Sequence, residues 1–163
     1  MEMVELLAPD GVVANLKAGS KKQALQELSL QAASLTGLHE RVIFDVLLQR
    51  EKLGTTGIGR GIAIPHGKMR ELEKLHGLFA RLPKAIDFDA IDEQPVDLIF
   101  LLLAPESAGA DHLKALARVS RVLRDENICA KLRGADDPEA LFALLTVPTV
   151  SPAAQKTPQS EKF

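Results

Sequence analysis

Val96-Asp97-Leu98-Ile99-Phe100-Leu101-Leu102-Leu103-Ala104 is apolar at every position except Asp97. The run does not alternate, so it reads as a strand buried on both faces, with helices covering both sides of its sheet. It is far too short to span a bilayer as a helix. Downstream, a helix is expected from about Gly109 to Arg124, and two shorter ones over Asp125–Leu132 and Pro138–Leu145. Upstream, Gly77–Leu82 reads as a strand that Pro83 ends, and Ile62–Ile64 as a short strand that stops at Pro65. Further back, Val12–Leu16 reads as a strand. Ser20 then starts a helix, with Gln23 placed to complete a capping box and Gly37 to stop it. Leu25, Leu28, Ala32 and Leu35 recur along that helix at helical spacing. A second helix runs from about His39 to Glu51 on a stripe of Ile43, Val46 and Leu47. Helices alternating with buried strands give an α/β fold, a three-layer-like sandwich of a central mixed β-sheet flanked by helices.

Composition narrows the function classes. The 163 residues are 46% apolar and 26% charged, which suits one domain with one sizeable core, placed at residues 3–147. Pro148–Phe163 carries three prolines among Ser, Thr, Gln and Lys and is expected to be a disordered tail. Net charge is −2, no basic block is present, and aromatics are 4% without Trp or Tyr, so no nucleic-acid partner is expected. The lone Cys129 supports neither a disulfide framework nor a thiolate cluster and reads as a small buried helix residue. The acidic start, Met1-Glu2-Met3-Val4-Glu5, lacks a signal-peptide run, so a cytoplasmic setting without membrane insertion is expected.

The chemistry concentrates around His66. Pro65 stops the strand because it has no N–H to give, and Gly67 leaves the following backbone unshielded. The imidazole between them is presented at a strand end, with a free lone pair near neutral pH. Before it, Gly54–Gly61 holds four glycines with Thr55 and Thr56. Hydroxyls and open amides, including that of Gly57, suit an anion, although glycines also simply make a mobile loop. Gly57-x-Gly59-x-Gly61 follows a helix and opens none, so it is a poor dinucleotide loop. Arg50 ends the preceding helix, where a cation favours the helix dipole or, alternatively, reaches a phosphoryl group with its planar fork. His112 shares a helix face with Leu116, Val119 and Leu123, and Ser107 or Asp111 is placed to cap that helix. On such a face it is either a satisfied structural residue or a ligand gathered past the end of the central strand. His39 and His76 adjoin turns and read as surface residues, and no pair of histidines has metal-site spacing, so neither metal nor cofactor is expected.

Glu51, Ile58-Gly59, Ile62-Ala63-Ile64-Pro65-His66 and Gly67 together meet every position of a long active-site pattern. In it the sequence resembles the enzyme IIA domain of the bacterial phosphoenolpyruvate-dependent phosphotransferase system, fructose/mannitol type. The likeness runs from the first strand to about Val147. It implies that His66 is the phosphorylated histidine, His112 a second histidine beside it, and Arg50 an arginine supporting the phosphoryl group. Within the family, the run from Thr56 to Lys68 is similar to the nitrogen-regulatory branch, enzyme IIA-Ntr. The resemblance implies a histidine phosphocarrier protein, HPr or its nitrogen-branch relative, as donor. Regulatory target proteins, or an enzyme IIB if the chain were a sugar-specific enzyme IIA, would be the acceptors.

Overall fold

The computed structural model describes residues 1–147. Residues 148–163, expected as a disordered tail, lie outside the described residues. The elements run α1 (Met3–Leu6), β1 (Leu7–Val13), α2 (Lys21–Thr36), α3 (Glu40–Lys52), β2 (Gly57–Gly59), β3 (Ile62–Ala63), β4 (His66–Met69), β5 (His76–Ile86) and β6 (Val96–Pro105), then α4 (Ala110–Leu123), α5 (Glu126–Gly134) and α6 (Pro138–Thr146).

The sheet has the order β1-β5-β6-β3-β2, with β4 also paired to β6. It is mixed: β5 is antiparallel to β6, whereas β1 is parallel to β5, and β3 and β4 are parallel to β6. The apolar run thus forms the centre of an α/β sandwich. From Leu98 to Leu103 its residues divide by parity, as the strand period of two requires, while Val96 at its start packs on the side of the odd-numbered residues. Ile99, Leu101 and Leu103 pack with Leu25, Leu28, Ile43 and Leu47 of α2 and α3. Leu98, Phe100 and Leu102 pack with Ala115, Val119, Leu132, Leu141 and Leu145 of α4 to α6. These six strand residues are at most 1% exposed, and each contributes roughly 1.5–3 kcal/mol of burial free energy before entropy is counted.

Several boundaries differ from the sequence reading. The first strand is Leu7–Val13 rather than Val12–Leu16. Its register against β5 shifts between Leu7 and Val12, so Asp10 and Gly11 lie in an irregularity within the strand. The fifth strand does not end at Pro83, because the register shift between Arg81 and Ile86 places this exposed proline where no ladder N–H is needed. Neither Ser107 nor Asp111 caps α4, whose N-cap is Gly109 at φ 56 with no side-chain cap. Ser20 caps α2 by accepting from the Gln23 N–H, but the Gln23 side chain accepts from Gly19 rather than closing the box on Ser20. The fourth strand, starting at His66 itself, was not expected at all.

Candidate functional site

β3 and β4 are two segments of one path along β6: Ile62 faces Leu98, and His66 faces Leu102. Between them the path is carried by the Pro65 carbonyl, which accepts from the Leu102 N–H at 2.9 Å. A proline gives up its own N–H here yet supplies an acceptor, so the strand pauses and restarts at the histidine. In a parallel pair, registered side chains share a face. His66 therefore turns to the face of Leu102, which α4 covers, and meets His112 in the first turn of that helix. Gly67 turns to the other face, and a Cβ there would lie 2.5 Å from Cγ1 of Val46 in α3. Glycine at 67 is what lets α3 pack this close to the strand that holds the histidine.

Each ring nitrogen of His66 has a defined partner. Nδ1 lies 2.9 Å from the Ile64 carbonyl oxygen, an acceptor only, so Nδ1 carries the proton and donates it. Nε2 is left with its lone pair, which accepts from Nε of Arg50 at 3.2 Å. Arg50 also donates from Nη1 to the Gly54 carbonyl at 2.8 Å, which ties its guanidinium to the glycine loop. Burial is the main cause that holds the His66 pKa below 6.5; the Ile64 carbonyl opposes it, the Arg50 cation adds to it, and Glu51 opposes it. His66 is thus neutral at pH 7, with the unprotonated nitrogen at Nε2.

The His112 ring lies 5.6 Å from that of His66, centroid to centroid, tilted by 53°. It is 6% exposed, and its buried Nδ1 has no hydrogen-bond partner among the described residues. Burial again lowers its pKa, followed by the neighbouring His66 and Lys68. A buried polar atom without a partner costs about 1–3 kcal/mol, so an orphan beside the unprotonated His66 nitrogen marks a position that a ligand atom could satisfy.

Arg50, His66 and His112 come together as the sequence reading expected. Thr55, Thr56 and Gly57, expected as phosphoryl ligands, are engaged elsewhere. The Thr55 hydroxyl donates to the Phe88 carbonyl at 3.0 Å and accepts from the Gly57 N–H at 3.0 Å. The Thr56 hydroxyl is bonded to Glu51, whose other oxygen accepts from the Thr56 N–H at 3.0 Å. Two contributors escaped the sequence reading. One is the Ile64 carbonyl, a backbone group without a sequence signal. The other is Glu51, seen only as the first position of a pattern. Among the described residues, no group of three or more His, Cys, Asp or Glu is arranged to hold a metal ion, and no helix is long and apolar enough to cross a membrane.

Residues 5–147 match the family described as phosphoenolpyruvate-dependent sugar phosphotransferase system, EIIA 2. A nitrogen regulatory protein of Bradyrhizobium diazoefficiens is 60% identical over 153 residues, covering 94% of this chain and all of the relative. The crystal structure of nitrogen regulatory protein IIA-Ntr from Neisseria meningitidis superposes with a TM-score of 0.84 at 36% identity, covering 88% of this chain and 99% of that one. The enzyme IIA-mannitol chain of Escherichia coli, solved in complex with phosphorylated enzyme IIB-mannitol, shares the fold at a TM-score of 0.71 and 23% identity, over 86% of this chain and 98% of its own.

Proposed function

The chain belongs to the EIIA 2 family of the phosphoenolpyruvate-dependent sugar phosphotransferase system, and from that premise we propose that it is a nitrogen-regulatory phosphoryl carrier whose acceptor atom is Nε2 of His66. The donor is a phosphorylated histidine on a phosphocarrier protein. The observation that carries this reading is the pinned imidazole: Nδ1–H held by Ile64, Nε2 unprotonated, and a cation already at its lone pair.

As the donor docks, Nε2 exchanges its bond to Arg50 for the incoming phosphorus. The new N–P bond forms from the Nε2 lone pair, and the electron pair of the breaking N–P bond returns to the donor imidazole. The proton stays on Nδ1 of His66, against the Ile64 carbonyl, so the phosphorylated ring keeps a positive charge that holds its own N–P bond transferable. No metal is required, because the donor bond is already activated. Charge on the transferring group spreads over its oxygens, and catalysis is mostly positioning and electrostatics. Arg50 supplies the cation, and His112 supplies the unpartnered Nδ1 toward a phosphoryl oxygen. Thr55, Thr56 and Gly57 act by holding the loop whose Gly54 carbonyl anchors Arg50.

The phosphoryl group itself carries about −1.5 to −2 charges, only partly offset by the positive ring, and so changes which protein docks there. Similarity to nitrogen regulatory proteins favours regulatory targets as the downstream partners over an enzyme IIB in sugar uptake. Incubation with phosphoenolpyruvate, enzyme I and phosphocarrier should give the protein an acid-labile phosphate that His66→Ala abolishes. Unchanged labelling of His66→Ala would refute the assignment.

A further inference from the structure

Among the described residues Glu51 is the one buried carboxylate, and the transfer step described above does not use it. Its side chain is 4% exposed and accepts from three donors: the Thr56 N–H at 3.0 Å, the Thr56 hydroxyl, and Nζ of Lys21 at 2.9 Å. Lys21 enters from the first turn of α2 and lies over the Phe88 ring, 4.9 Å from its centroid, whose carbonyl in turn receives the Thr55 hydroxyl. A buried ion pair is seldom a gain in stability over an apolar pair of the same shape, so its presence asks for another reason.

The reason lies in where its partners lead. The Thr56 carbonyl accepts from the Ile64 N–H at 3.0 Å, and the Ile64 carbonyl accepts from Nδ1 of His66 at 2.9 Å. From its own backbone, the Glu51 carbonyl accepts from the Gly54 N–H at 3.1 Å, and the Gly54 carbonyl accepts from Arg50 at 2.8 Å. Through its side chain Glu51 stands one residue, Thr56, away from the Ile64 carbonyl, and through its backbone one residue, Gly54, away from Arg50. We propose that Glu51 is a positioning residue: with Lys21 its side chain clamps the loop through Thr56, fixing the Ile64 carbonyl that selects the Nδ1–H tautomer. The catalytic part of this proposal rests on the phosphoryl-carrier reading; the tautomer part does not.

Nitrogen-15 NMR of the His66 ring and single-turnover transfer from phosphocarrier test it on the full chain. Wild-type His66 is expected as the Nδ1–H tautomer. In Glu51→Ala the Nε2–H form should appear in substantial population. The saturating transfer rate should fall on the order of tenfold to a hundredfold, as small misplacements of a reacting group do, while half-saturation by the phosphocarrier stays within about twofold, because a buried carboxylate touches no docking partner. Glu51→Gln can still accept from the Thr56 N–H and should recover most of the tautomer and of the rate.

Glu51→Ala that is folded, with the wild-type tautomer and a wild-type saturating rate, would overturn the proposal. If Glu51→Ala does not fold, Glu51→Asp decides by the same two readouts. It keeps the charge but is one methylene shorter and lets go of Thr56, so the Nε2–H form should appear and the saturating rate should fall. A folded Glu51→Asp with the wild-type tautomer and the wild-type rate overturns the clamp. Should wild-type protein take no phosphate at all, the carrier reading falls while the NMR arm still judges Glu51.

Discussion

Replacing Arg50 by Gln separates two roles that one side chain performs. Nε of Arg50 is 3.2 Å from Nε2 of His66, so a phosphorus bonded to Nε2 would carry its oxygens within hydrogen-bond reach of the guanidinium. Loss of one preorganised donor at a developing anion typically costs on the order of 10²–10³ in rate, about 2.7–4 kcal/mol, and the same order is expected here. The effect on folding is smaller. Arg50 is half-buried and gives up its bonds to the Gly54 carbonyl and to Nε2 of His66 and a favourable helix-end charge, together about 1–2 kcal/mol. A second effect runs through protonation: Arg50 is one of the causes that lower the His66 pKa, so the substitution raises it and makes the ring slightly more protonated near neutrality. Measuring single-turnover transfer at pH 8 removes that effect, since His66 is then neutral in both proteins. The loss should persist there at full size, and Arg50→Lys, with the charge but not the fork, should fall between. A transfer rate for Arg50→Gln within about threefold of wild type at pH 8 would refute the claim that the guanidinium stabilises the transferring group.

Three other outcomes follow from the same geometry. His112→Leu should cut transfer about tenfold or more while leaving the melting temperature equal or higher, because it removes a buried polar atom that has no partner; a clear drop in melting temperature would show that the ring serves the fold instead. His66, His76 and His112 all have lowered pKa values, with burial the largest cause in each. The unfolded chain then binds more protons below the ordinary value of 6.5, stability declines as pH falls through that point, and the urea midpoint at pH 5.5 should lie below that at pH 7.5; equal midpoints would contradict the sign. Gly67→Ala places a Cβ 2.5 Å from Cγ1 of Val46 and should destabilise by about 1–3 kcal/mol, partly restored by Val46→Ala in the same chain; additive costs in a double-mutant cycle would exclude that contact as the cause.

What was legible in the sequence follows from which interactions leave a periodic or local signature. The central strand announced itself because both of its faces are buried, and nothing polar interrupts Leu98 to Ala104. The helices of both outer layers followed from spacing, and caps helped only at α2, which Ser20 starts and Gly37 stops. The strand of the histidine was hidden by the residues that make the site possible. Pro65 and Gly67 read as terminators, yet one supplies an acceptor to Leu102 in mid-path and the other admits Val46 against the backbone. Hydroxyls posed the opposite problem. A sequence shows that Thr55 and Thr56 own donors near an anion site, but a donor is available only if the fold has not already used it, and here Phe88 and Glu51 have. Phe88 is more than thirty positions away in the chain, so no local rule reports the bond. The same reasoning explains why Glu51 was visible as a residue and invisible as a part. Its meaning lies in a sequence of backbone bonds, Thr56 to Ile64 to His66, whose members carry no side-chain signal. A site assembled this way depends on peptide groups that substitution of Thr56 or Ile64 alone does not delete. The leverage over the imidazole therefore rests with the one side chain that holds those peptides in place, Glu51.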